Sequence, residues 1–159
     1  MKGWLRWPGE LAMTLDPGQS VYISGPMTGM PDNNKELFAR AAKHLRDRGL
    51  VVISPAEQPD EVLDGDGWSS DDDEYEGFLA RDKGLVEQVD AIVFLKGWER
   101  SGGAGREGRW AIEAGHPLYI LMEDPYERPG HGFYPLLRID PRYFERHSTT
   151  ERLRKQEAT

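Results

Sequence analysis

The chain contains no cysteine among its 159 residues. That absence removes disulfides, thiolate nucleophiles and cysteine-based zinc sites together. Basic residues are in the minority, with Lys+Arg 20 against Asp+Glu 28 and a formal net charge of -8. A protein that coats a nucleic-acid polymer needs a basic face, so no such partner is expected. A small anionic ligand needs only one local pocket and stays open. No apolar run approaches the roughly 20 residues that span a bilayer, so no membrane partner is expected either. Residues 1–18 hold two Trp and two Pro but no apolar signal core, and Met13 is a second candidate start. A cytoplasmic protein is the default expectation.

What is present suits one globular domain with a single core: 38% hydrophobic and 30% charged residues. Strand and helix patterns alternate. Val21–Ser24 is a short apolar run closed by Gly25-Pro26. Asn33 or Asn34 can cap a helix to Arg48, with Leu37, Phe38, Ala41, Ala42 and Leu45 at helical spacing. Leu50–Ile53 is a second strand and Asp90–Leu95 a third. A helix over about Tyr75–Val89 precedes the third strand. Another follows it, from the turn Lys96–Gly105 to near Gly115. Pro117–Met122 is a fourth strand. The chain after Glu123 reads as irregular, frayed after Ser148. Residues 1–19 read as an extension, 20–147 as one α/β domain and 148–159 as a charged tail.

The strands are continuous apolar runs, which fits a parallel sheet covered on both faces. The predicted fold is an α/β, Rossmann-like (flavodoxin-like) three-layer sandwich with a mainly parallel sheet of four to five strands. Ligands in such sheets sit beyond the carboxyl ends of the strands. That rule selects the loops after Ser24, Ile53 and Leu95.

The first loop, Gly25-Pro26-Met27-Thr28-Gly29, carries neither a dinucleotide fingerprint nor a P-loop. Its residues fit an ordinary turn or an anion site near a helix N-terminus. Asp82 falls on the apolar stripe of its helix, with Tyr75, Phe78, Leu79, Leu85, Val86 and Val89. A carboxyl group there is either a structural partner of Arg81 or a proton donor with a raised pKa. The run Ser101-Gly102-Gly103-Ala104-Gly105-Arg106-Glu107 opens a helix, and its glycines permit close approach of a ligand. Glu107 shares a face with the small residues Ala111 and Ala114. It either complements the helix dipole or faces a pocket. Asp82 and Glu107 flank one strand, and two carboxylates around a pocket are the minimum kit for a glycosidic bond.

Four elements occur in order: Tyr22-Ile-Ser-Gly-Pro-Met-Thr-Gly29, Arg81-Asp82, Asp90-Ala-Ile-Val and Ser101-x-Gly-x-x-x-Glu107. Together with Gly97–Ala104 they resemble the nucleoside 2-deoxyribosyltransferase-like superfamily, over about Val21–Met122. The likeness is strongest to a mostly uncharacterised phage and bacterial branch. It implies cleavage or transfer at the N-glycosidic bond of a 2′-deoxynucleoside 5′-monophosphate or 2′-deoxynucleoside. It implies Glu107 as nucleophile, Asp82 as the residue assisting the departing base and Tyr22 as the residue orienting the Glu. It further implies a 5′-phosphate seat from Ser101, Gly103 and the first loop, Ser24, Gly25, Pro26, Met27, Thr28 and Gly29. The related monophosphate hydrolases carry an Arg in that loop, where this chain has Pro26-Met27-Thr28; Arg106 or Arg109 is the candidate substitute. The resemblance also implies a homodimer or larger homo-oligomer.

Other signals are set aside. Asp64–Ser69 begins like a calcium loop but breaks the pattern at Trp68 and Ser69. The acidic run Asp71–Glu74 reads as solvated surface. His44, His116, His131 and His147 show no ligand spacing, so no metal and no cofactor are expected. Trp68 and Trp98 either stack on a base or plug the domain surface, the latter preferred for Trp98. The competing function is a nucleotide-binding or sensing module that uses the same pocket without turnover.

Overall fold

The computed structural model describes residues 15–58, 72–126 and 132–157, and only the backbone of residues 72–76 and 78. The readings placed on residues 1–14, Asp64–Ser69, Trp68, Asp71 and His131, and on the side chains of Tyr75 and Phe78, lie outside the described residues.

The apolar runs become β1 (Ser20–Ser24), β2 (Val51–Ile53), β3 (Ala91–Phe94) and β4 (Leu118–Ile120). A fifth strand, β5 (Leu137–Ile139), completes one sheet in the order β2-β1-β3-β4-β5. The first four strands pair in parallel and β5 runs antiparallel to β4. The helices are α1 (Lys35–Asp47), α2 (Asp72–Gln88), α3 (Gly102–Glu113), α4 (Pro141–His147) and α5 (Thr149–Glu157). This is the Rossmann-like three-layer sandwich expected from the sequence, in the flavodoxin strand order.

Side-chain alternation along β1 sorts the core into two layers. Val21 and Ile23 pack with Val93 and Leu95 against Leu37, Phe38, Ala41, Ala42 and Leu45 of α1. Tyr22 turns to the opposite face, with Ile92, Phe94, Val86, Ala104, Ala111 and Phe144. That second face is the one covered by α2, α3 and α4. The strand order reverses between β1 and β3, and their carboxyl ends stand level, Ser24 opposite Phe94. The crevice of a doubly wound sheet therefore opens there.

Both helix ends beside the sheet are set by glycine. Gly49 (φ +89°) and Gly115 (φ +80°) take left-handed backbone. Leu50 N–H bonds to Leu45 O and His116 N–H to Ala111 O, closing α1 and α3 by the same C-terminal turn.

Two expectations need correction. Asn34 precedes α1 but does not cap it with its side chain; it lies at φ +62°, and its amide donates instead to Pro26 O at 2.9 Å. The chain after Glu123 is not an irregular, frayed tail. Asp140 caps α4 by accepting from Arg142 N–H at 2.7 Å, with Pro141 in the first helical turn. Ile139 and Phe144 then enter the core. The helix α5 has no apolar stripe. It is held by Glu151, which is buried and ion-paired to Arg109 of α3 and to Arg154.

Candidate active site

Tyr22 and Ser24 are two residues apart on β1, so both face α2 and α3 at the carboxyl end of the sheet. Glu107 comes from the second turn of α3, and its carboxyl group meets them. The Ser24 hydroxyl donates to Glu107 Oε1 at 3.4 Å. The Tyr22 hydroxyl lies near enough to this carboxyl group to favour its ionised form. The other oxygen, Oε2, is buried and has no hydrogen-bond partner among the described residues.

Burial pushes the Glu107 carboxyl group up to about 8 from its ordinary 4.5. The Tyr22 hydroxyl opposes this, the charge of Asp82 adds to it, and Arg106 and Ser24 oppose it. Tyr22 itself is driven well above the ordinary range, first by burial and then by the negative charges of Glu107 and Asp82. Asp82 is half-buried, and burial raises its pKa against the lowering effect of Arg81. Arg81 Nη2 lies 3.6 Å from Asp82 Oδ1. The structural pairing with Arg81 is therefore present, and the charge of Asp82 also raises the Glu107 pKa. Arg106 acts on both carboxyl groups and sits 6.0 Å over the Trp110 ring.

Ser101 caps α3, its hydroxyl accepting from Ala104 N–H at 3.1 Å. A hydroxyl that accepts one bond still has a proton to donate. A methyl group at Gly103 would stand 3.7 Å from Glu107 Oε1 and 3.8 Å from Ser101 Oγ. Gly103 thus leaves space between the cap hydroxyl and the carboxyl group.

The structure brings together Tyr22, Ser24, Asp82, Ser101, Gly103 and Glu107. The rest of the first loop is used differently. Gly25 packs against Leu95, where a methyl group would meet Leu95 Cβ at 3.1 Å. Pro26 abuts Gly97, and Met27 packs on the α1 layer. Thr28 and Gly29 are exposed. Trp98 is buried at 1% exposure and stacked on Phe94 at 5.0 Å, so it plugs the domain rather than facing a ligand.

Four details of the α3 reading change. Gly102–Gly105 is helix, not turn, because these residues form the first turn of α3. Gly105 and Gly108 serve packing: a methyl group at Gly105 would fall 2.7 Å from Thr150 Cβ, and one at Gly108 would fall 2.3 Å from the Phe144 ring. Ala114 is exposed beyond the last helical residue, so only Ala111 shares a buried face with this helix's site. Arg109 is bonded to Glu151 and Glu145 on the far side, which removes it as an anion ligand. Sequence reasoning assigned Ser24 to a ligand and missed its bond to Glu107. The period-two spacing from Tyr22 is the signal that points to it. Among the described residues, no group of three or more His, Asp or Glu could hold a metal ion. No described helix is long and apolar enough to cross a membrane.

Residues 19–120 match the family model described as domain of unknown function (DUF4406). No curated protein matches the chain. Among solved structures, the chain is similar to a conserved protein from Enterococcus faecalis V583, with 19% identity and a TM-score of 0.50. The likeness covers 70% of this chain and 67% of that one, and it concerns the fold alone.

Proposed function

The chain belongs to the family described as domain of unknown function DUF4406, and we propose that this member acts on the N-glycosidic bond of a 2′-deoxynucleoside 5′-monophosphate or 2′-deoxynucleoside. Support comes from one observation above the others. Glu107 offers a buried oxygen with no hydrogen-bond partner among the described residues, at the sheet's switch point, while its other oxygen is held. A carboxylate with one oxygen fixed and the lone pairs of the other unengaged suits a nucleophile's role.

In this reading, ionised Glu107 attacks C1′ and the bond from C1′ to the base nitrogen breaks. The departing base takes its proton from Asp82. Water, or a second base, then attacks C1′ of the sugar ester and releases Glu107 as carboxylate, and the incoming nucleophile's proton returns to Asp82. Tyr22 and Ser24 hold Glu107 in the attacking orientation. Ser101 and Gly103 seat the 5′-phosphate at the start of α3, where the helix dipole favours an anion. The motifs shared with the deoxyribosyltransferase-like superfamily favour the same roles. With a pKa of about 8, roughly one Glu107 in ten is ionised at pH 7 before substrate binds. The developing positive charge at C1′ favours the ionised form during reaction.

A second reading, nucleotide binding without turnover, draws on that same raised pKa. A neutral Glu107 does not repel an anion and can donate a hydrogen bond to it. Against it stands Asp82, a second carboxyl group that a binder does not need.

The test incubates the protein with a panel of deoxynucleoside monophosphates and deoxynucleosides and follows free base by chromatography. Release of base that disappears in Glu107→Ala is the expected result. Tight binding with no release from any substrate supports the sensing module instead. Adding a second base separates transfer from hydrolysis.

A further inference from the structure

The helix α3 carries two pairs of residues one turn apart, Gly103 with Glu107 and Gly105 with Arg109. The pairs are offset by two positions, about 200° around the helix, so they occupy opposite faces. One face presents Glu107 to Tyr22 and Ser24. The other is covered by the C-terminal segment. Gly105 has no room for a side chain, since a methyl group would meet Thr150 Cβ at 2.7 Å, Thr150 Oγ1 at 2.9 Å and Ser148 Oγ at 3.1 Å. Gly108, at the edge of that face, is closed by the Phe144 ring at 2.3 Å and by Phe94 at 2.9 Å.

Charge fixes the same contact. Glu151 of α5 is 2% exposed and pairs with Arg109, two residues beyond Glu107, and with Arg154. Glu145 of α4 reaches Arg109 at 3.5 Å and Lys155 at 2.9 Å. A buried carboxylate held between two guanidinium groups tolerates little displacement, because any shift leaves charge unpaired away from water. The α4 and α5 side of this contact, Phe144 to Arg154, lies beyond residue 120, where the family match ends.

We infer that the C-terminal helices α4 and α5 are a clamp that sets the position of α3, with Glu151, Gly105 and Arg109 as positioning residues for Glu107. The clamp presses the back of α3 so that its front face stays seated against β1. The inference deepens the reading of Glu107 as the reacting group and rests on it for kinetics alone.

Two single variants and one double variant test it, each checked for a native circular dichroism spectrum. Glu151→Gln removes the buried charge at nearly constant shape. Gly105→Ala drives a methyl group into Thr150, and Gly105→Ala with Thr150→Gly removes the two nearest obstructing atoms. Three readouts apply: amide hydrogen exchange across residues 103–108, carboxyl carbon NMR titration of Glu107 assigned through Glu107→Gln, and base release. The clamp predicts faster exchange in both single variants. It predicts a Glu107 titration that falls from about 8 toward the ordinary 4.5. It also predicts a kcat/KM loss of about tenfold or more, since misplacement of about 1 Å can cost a hundredfold. The double variant restores all three relative to Gly105→Ala. Unchanged exchange and titration in folded Glu151→Gln and Gly105→Ala overturn the clamp. If wild-type protein releases no base from any substrate, the reaction fails while exchange and titration still decide the clamp.

Discussion

Ser24 and Glu107 lie 83 positions apart in the chain, and the hydroxyl of the first donates to Oε1 of the second at 3.4 Å. This contact joins the end of β1 to the second turn of α3, and it leaves one Glu107 oxygen held and the other buried with no hydrogen-bond partner among the described residues. Removing it tests how the site is tuned. Ser24→Ala deletes a donor that favours the ionised carboxylate. The pH–rate midpoint then moves upward, and activity at pH 7 falls several-fold. A midpoint that moves down contradicts the contact's role.

The raised pKa of Glu107 has a consequence for stability that needs no substrate. Unfolded, Glu107 titrates near 4.5; folded, at about 8. Between those values the folded state holds a proton that the unfolded state has lost. Stability from this group is therefore complete below about 4.5 and declines as pH rises to about 8, at up to roughly 1.4 kcal/mol per pH unit. Glu107→Gln removes that decline. Thermal melts of both proteins from pH 5 to 8 should diverge, with the variant the more stable at pH 8. Parallel curves would show an ordinary carboxylate.

In the proposed reaction Asp82 gives its proton to the departing base. Asp82→Asn should lower base release by about 10²- to 10⁴-fold, the range for loss of a positioned acid. The loss should be smallest for bases that leave readily unprotonated. A uniform loss across bases instead points to electrostatic support of Glu107.

Trp98 is a core residue rather than a base-stacking one. Trp98→Phe should lower the melting temperature while leaving KM within about twofold, because the ring meets Phe94 and Phe144 and not a ligand. Gly108→Ala should be the harsher change. Its methyl group falls inside the Phe144 ring contact, and overpacking of this kind costs about 1–3 kcal/mol or more. Denaturant titration ranks the two.

The sheet was legible because its strands are unbroken apolar runs, and the switch point followed from the alternation of strands and helices. The site was legible in outline through Asp82 on an apolar stripe and Glu107 beyond a Gly-bearing helix start. The chain after Glu123 was not. The signal for α4 was local, Asp140-Pro141 as cap and first turn. The signal for α5 was absent, since its one buried residue is a glutamate whose partner Arg109 lies 42 positions away. For the same reason Gly102–Gly105 reads as a turn: glycine disfavours helix, and the packing of Thr150 and Ser148 on Gly105 overrides that preference.

The central claim is that Glu107 forms a bond to the sugar. Incubation with a 2′-fluoro-2′-deoxynucleotide, whose fluorine slows both formation and breakdown of the sugar ester, followed by intact-protein and peptide mass spectrometry, tests it most directly. The account predicts a mass gain of one fluorinated sugar phosphate, located on Glu107 and absent from Glu107→Gln. Base released at full rate by Glu107→Gln, or an adduct on another residue, would contradict it.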